Sequence, residues 1–118
     1  MATVLIADDE QPIREFLAEL VEAAGHRAVK AANGREALEV IQAERPDLLL
    51  ADLMMPLLGG AERCRRLKAD PSTASIPVIL FSSASHRPTA AECADGFLAK
   101  PFDPEAIETL LQHWLARM

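Results

Sequence analysis

Short apolar runs alternate with longer amphipathic segments along nearly the whole 118-residue chain. Short apolar runs bounded by turn residues are typical of buried strands, and amphipathic segments with apolar residues three and four positions apart are typical of helices. Strands that alternate with helices form parallel sheets with helices packed on both faces. The pattern therefore predicts a doubly wound α/β fold around one five-stranded parallel sheet.

The five predicted strands are Thr3–Ala7, Arg27–Ala31, Asp47–Ala51, Val78–Phe81 and Phe97–Ala99. The second lacks the continuous apolar character of a central strand, so we predict it at an edge of the sheet. Predicted helices begin at Pro12 and end before Gly25, run from Gly34 to Glu44 and from Gly60 to Ala69, and begin again near Pro104. Pro12 suits a first helical turn and Gly25 suits a helix end, and the second and third helices end before Pro46 and Pro71.

Composition limits the class of protein. A chain of this length with 50% hydrophobic residues suits a single core, so residues 1–118 are predicted to form one domain. A net charge of −6 with scattered Lys and Arg argues against direct DNA or RNA binding. No apolar run is long enough for a signal peptide or a membrane span, and Cys64 and Cys93 form no CxxC motif. We therefore predict a cytoplasmic protein without membrane contact.

Acidic residues follow two of the predicted strands. Asp8, Asp9 and Glu10 come directly after the first strand, and Asp52 comes directly after the third. Each acid alone could be a helix cap or a solvated charge. The carboxyl ends of parallel strands meet at one edge of the sheet, where carboxylates repel one another unless a cation joins them. Because Mg²⁺ prefers oxygen ligands, the sequence predicts a magnesium site at this edge, with Mn²⁺ as an alternative ion.

Ser82 and Lys100 follow the fourth and fifth predicted strands. A carboxylate beside Mg²⁺ can attack a phosphoryl group, whose negative charge then needs a cation and hydroxyl or backbone donors. Lys100 and Ser82 would supply the cation and the hydroxyl. Taken singly, Ser82 would be read as an ordinary turn residue and Lys100 as an ordinary surface charge.

The chain carries several motifs in order: Asp8-Asp9, Asp52-Leu53-Met54-Met55-Pro56 with Gly60, Pro77-Val78-Ile79 leading to Ser82, and Phe97-Leu98-Ala99-Lys100-Pro101-Phe102. Together these motifs resemble the receiver domain of response regulators. The resemblance covers essentially the whole chain. It implies a flavodoxin-like strand order of 2-1-3-4-5, as in the chemotaxis regulator of that family.

The resemblance also implies roles for individual residues. Asp52 corresponds to the phosphoacceptor and Asp9 to a direct Mg²⁺ ligand. Asp8 would act on the ion mostly through water, and the Met54 backbone carbonyl would complete the ligand set. The ion would therefore be held by Asp8, Asp9, Asp52 and Met54.

A second group of residues is implied to sense the phosphoryl group. Ser82 corresponds to the hydroxyl switch residue, although the adjacent Ser83 is an alternative for that role. Lys100 corresponds to the lysine that pairs with the phosphoaspartate, and Phe97 to an aromatic switch residue. One departure from the family is a shortened fourth helix, because the segment from Ser82 to Lys100 is about one helical turn shorter than usual.

The function implied is a receiver that accepts a phosphoryl group from a sensor histidine kinase or a histidine phosphotransfer protein and then alters an unidentified output protein. It would catalyse only its own modification and would not be an enzyme with an external substrate. The main alternative is a receiver-like interaction module that works without phosphorylation, which the shortened helix favours. A flavin carrier is disfavoured because acids replace the phosphate-binding loop after the first strand. A dehalogenase-type phosphatase is disfavoured because Met54 stands where its second Asp would be.

Overall fold

The computed structural model describes residues 2–52, 65–66, 68–71, 73–83, 95–100 and 103–115, with the backbone alone at 82, 83, 97, 99 and 100. The strands are β1 (Thr3–Ala7), β2 (Arg27–Ala31), β3 (Leu48–Asp52), β4 (Val78–Ser83) and β5 (Gly96–Lys100). The helices with full bounds are α1 (Gln11–Ala23), α2 (Gly34–Glu44) and a C-terminal helix (Pro104–Leu115). Residues 65, 66, 68 and 69 are also helical and belong to the predicted third helix, the rest of which lies outside the described residues.

All five strands pair in parallel in the order β2-β1-β3-β4-β5. This confirms the predicted flavodoxin-like order and the edge position of β2. The bounds of β1 and β2 agree with the prediction. Compared with the prediction, β3 is displaced by one residue toward the C-terminus, and β4 and β5 are each two residues longer. Asp52 and Lys100 are therefore the last residues of β3 and β5.

Alternate residues of the three central strands face two hydrophobic layers. One layer packs under α2 and the other under α1 and the C-terminal helix. In β3, Leu49 and Ala51 belong to the α2 layer, whereas Leu48 and Leu50 belong to the opposite layer. All four are buried because both faces of the sheet are covered, which explains why β3 is almost continuously apolar.

The helix boundaries follow from local chemistry. The Asn33 side chain accepts a hydrogen bond from the Glu36 amide at 2.9 Å, and Glu36 Oε1 accepts one from the Ala32 amide at 2.7 Å. These bonds satisfy two amide donors at the start of α2. Gly25 follows α1 with a φ of +91°, a conformation that glycine adopts without strain. Within the described residues, no helix is long and apolar enough to cross a membrane.

Two aspartates fix the edge of the sheet at which the strands begin. Asp47 Oδ2 accepts a hydrogen bond from the Thr3 amide at 2.8 Å, and the Asp47 amide donates to the Thr3 carbonyl at 2.7 Å. Asp95 forms the same pair of hydrogen bonds with Val78: its carboxylate accepts from the Val78 amide, and its own amide donates to the Val78 carbonyl. The Lys68 ammonium lies 2.8 Å from Asp95 Oδ2. The pairs hold β1 beside β3 and β4 beside β5 at the edge opposite the acidic residues.

We expect Asp47→Ala to lower the free energy of unfolding by about 1–3 kcal/mol, because the Thr3 amide loses its acceptor in a partly buried position. Asp47→Asn keeps a side-chain oxygen and should lose less. Urea denaturation of both variants and the wild type measures the difference. Equal stability of all three proteins would contradict a role for this hydrogen bond.

Candidate functional site

Four carboxylates meet at the edge of the sheet where β1 and β3 end. The pairing of Ala7 with Ala51 places the next residues, Asp8 and Asp52, side by side. One carboxylate oxygen from each of Asp8, Asp9, Glu10 and Asp52 lies within 4.8 Å of the other three. Asp8 is 0% exposed and Asp52 is 6% exposed, whereas Asp9 and Glu10 are exposed. The structure thus brings together the three acids predicted from the sequence and adds a fourth.

Glu10 joins the cluster because the chain turns immediately after β1. The Glu10 amide donates a hydrogen bond to Asp8 Oδ1 at 2.8 Å, which folds residues 8–10 into a tight turn before α1. Side chains of consecutive residues in an extended strand point in opposite directions, but in this turn they converge. The third consecutive acid in the sequence was the only signal for Glu10, and it did not distinguish a ligand from a solvated charge.

The donor set suits a hard divalent cation. Two carboxylates about 4 Å apart repel each other by roughly 4 kcal/mol at an effective dielectric of 20, and by less where water screens the exposed members. The cluster presents carboxylate oxygens without a sulfur or imidazole ligand among the described residues. Oxygen-only ligation favours Mg²⁺ over Zn²⁺, and the exposed Asp9 and Glu10 leave the site accessible to water and phosphate.

The remaining predicted site residues lie on β4 and β5. Asp52 pairs with Phe81 of β4, so the backbone of Ser82 is one residue further along the neighbouring strand. Ser83 in turn pairs with Lys100, whereas Phe97 pairs with Leu80, three residues before Lys100 on β5. The backbone therefore places Ser82, Ser83 and Lys100 at the same edge as the acids.

Other predicted features lie outside the described residues. They are the side chains of Ser82, Ser83, Phe97 and Lys100, the carbonyl of Met54, and the shortened fourth helix predicted between β4 and β5. The roles assigned to these residues stay predictions.

Comparison with known sequences gives a consistent result. Residues 4–112 match the family model of the response regulator receiver domain. The phosphate regulon transcriptional regulatory protein PhoB of Pseudomonas aeruginosa is 39% identical over 119 residues, which cover 98% of this chain and 52% of that protein. The response regulator MprA of Mycolicibacterium vanbaalenii is 37% identical over 112 residues, covering 92% and 46%. The chain thus spans about half the length of the curated relatives that it matches.

Solved structures show the same architecture. The chemotaxis response regulator CheY4 of Vibrio cholerae has a TM-score of 0.90 at 30% identity, over 97% of this chain and 98% of that chain. The receiver domain of the sensor histidine kinase PA1611 of Pseudomonas aeruginosa, which holds a magnesium ion in its active-site cleft, has a TM-score of 0.84 over 98% of each chain. At 24% identity, this second likeness establishes the fold alone.

Proposed function

Because the chain belongs to the receiver-domain family of two-component response regulators, we propose that Asp52 is its phosphoacceptor and that Mg²⁺ is held beside it by the clustered carboxylates. The observation that carries the proposal is the buried Asp52 carboxylate at the end of β3, with an oxygen within 4.8 Å of oxygens from three other acids. The phosphoryl donor would be a sensor histidine kinase or a histidine phosphotransfer protein.

Asp52 is favoured over its neighbours by its position. It ends the middle strand of the sheet, between the strand that leads into Asp8 and the strand that carries Ser82. The Asp8 carboxylate accepts the Glu10 amide and is completely buried, which suits holding the ion better than attacking an external donor. Asp9 and Glu10 are exposed on the turn and suit ion capture.

The proposed reaction transfers a phosphoryl group between two proteins. An oxygen of the Asp52 carboxylate bonds to phosphorus as the bond between phosphorus and the donor's histidine nitrogen breaks. The imidazole leaves with the bonding electron pair and takes up a proton. Mg²⁺ held by the clustered carboxylates would supply positive charge to the transferring phosphoryl group. Asp8, Asp9 and the Met54 carbonyl would hold the ion in position. Lys100 and Ser82 would contact the phosphoryl group once it is on Asp52.

The consequences for signalling follow from the same placement. Ser82 lies on β4, the strand next to β3, and Phe97 lies on the adjoining edge strand β5, so their rearrangement around a phosphoryl group would change the surface formed by β4 and β5. An output protein would bind to that surface. In this proposal residues 1–118 act as one cytoplasmic receiver domain that catalyses only its own phosphorylation and dephosphorylation, with Mn²⁺ able to replace Mg²⁺.

The test is the intact mass of the protein after incubation with acetyl phosphate, with Mg²⁺ or with a chelator. We expect one phosphoryl adduct per chain that forms only with Mg²⁺ and decays after the donor is removed. Absence of an adduct with several small donors, in a protein that binds Mg²⁺, would favour the phosphorylation-independent interaction module.

A further inference from the structure

Arg14 contacts the acidic turn from within α1. Its guanidinium Nη1 donates a hydrogen bond to the backbone carbonyl of Asp8 at 2.7 Å, and the side chain is half-buried. The bond spans six residues and joins the fourth residue of α1 to the residue that follows β1. A charged donor on a buried carbonyl forms a stronger bond than a neutral donor would.

This bond completes a set that restrains residues 8–10. The Asp8 amide donates to the Ala31 carbonyl of β2 at 3.1 Å, and Asp8 Oδ1 accepts the Glu10 amide at 2.8 Å. The Glu10 carbonyl accepts the amides of Ile13 and Arg14, both at 3.1 Å. The amide, carbonyl and carboxylate of Asp8 are therefore all hydrogen-bonded, and Arg14 supplies the bond to its carbonyl.

We propose that Arg14 is a positioning residue for the metal centre, holding the Asp8 carbonyl so that the carboxylates of residues 8–10 converge on one ion. The inference rests on the proposed function, because it takes Mg²⁺ as the ion. Arg14 itself contributes no ligand atom, since a guanidinium has donors only.

Charge and geometry predict opposite effects of removing Arg14. A positive charge near the site repels a divalent cation, so its loss should strengthen Mg²⁺ binding if charge dominates. Loss of the hydrogen bond frees the turn, so Mg²⁺ binding should weaken if positioning dominates. Removing a group that orients a ligating residue typically weakens metal affinity by about tenfold or more. The sign of the change in affinity therefore decides between the two effects.

The experiment compares wild type, Arg14→Met, Arg14→Lys and Arg45→Met by following amide chemical shifts of residues 8–10 during Mg²⁺ titration. Arg45 is exposed at the end of α2, so its substitution removes one positive charge elsewhere on the protein. We expect about tenfold weaker Mg²⁺ binding in Arg14→Met and no weakening in Arg45→Met. Arg14→Lys retains the charge and a donor on a flexible stem, so it should bind Mg²⁺ more tightly than Arg14→Met.

A second readout needs no metal. In metal-free protein, hydrogen exchange of the Glu10 amide reports its bond to Asp8, and we expect faster exchange in Arg14→Met than in Arg45→Met. Mg²⁺ binding by Arg14→Met equal to or tighter than wild type would overturn the proposal, as would unchanged Glu10 exchange. If wild type itself failed to bind Mg²⁺, the proposed metal centre would be contradicted, while the exchange comparison would still decide whether Arg14 restrains the turn.

Discussion

Asp52→Asn should form no phosphoryl adduct with acetyl phosphate under conditions that fully convert the wild type. The amide that replaces the carboxylate carries no negative charge and is a poor nucleophile toward phosphorus. The substitution keeps the size and shape of a side chain that is 6% exposed, so the packing at the end of β3 should be preserved. Intact-protein mass spectrometry over a time course with Mg²⁺ measures the loss.

Asp103→Asn is the matched control for this experiment. Asp103 Oδ1 accepts the Ala106 amide at 2.8 Å at the start of the C-terminal helix, and Asn is an equally good capping residue. This variant should therefore be phosphorylated like the wild type. An adduct that persists in Asp52→Asn would place the acceptor on another residue of the cluster, and peptide mapping would identify it.

The sequence was most informative where local pattern and tertiary structure agree. The ends of β1 and β2 coincide with changes in the apolar pattern, and the turn at Gly25 needs a conformation that glycine supplies. The ends of β3, β4 and β5 were less predictable because pairing with a neighbouring strand decides where a ladder stops. Asp52 belongs to β3 because it pairs with Phe81, a contact distant in sequence.

The candidate site could be predicted in part for a similar reason. Asp8 and Asp52 meet because β1 and β3 are neighbours, which the resemblance to receivers implied. Glu10 and Arg14 could not be assigned in this way, because their positions depend on hydrogen bonds to single atoms of Asp8. Sequence spacing indicates which strand ends converge, but it does not specify the geometry of a tight turn.

Asp9→Asn should have opposite effects on stability in the absence and presence of Mg²⁺. Without metal, Asp9 adds one more negative charge to a cluster in which every carboxylate repels the others. Removing that charge should raise the free energy of unfolding by about 1 kcal/mol or less, because Asp9 is exposed and water screens its interactions. Thermal unfolding in a chelator should show a higher Tm than the wild type.

With saturating Mg²⁺ the order of the two proteins should reverse. An ion that binds only the folded state stabilises it in proportion to the logarithm of its concentration over Kd, so the stronger site gains more. Loss of Asp9 as the proposed direct ligand should weaken Mg²⁺ binding by more than the roughly tenfold expected for a positioning group. Glu22→Gln, on an exposed part of α1, removes a negative charge outside the cluster and should keep the wild-type response to Mg²⁺.

The reversal is specific to a carboxylate that both repels its neighbours and binds the ion. If Asp9 were only a cap or a solvated charge, Asp9→Asn could change Tm in the chelator. The increase in Tm on adding Mg²⁺ would then be the same in Asp9→Asn as in the wild type. Equal increases in Asp9→Asn and wild type would thus remove Asp9 from the ligand set. The ion would then have to be held by the two buried carboxylates of Asp8 and Asp52, with Glu10 at the exposed side of the site.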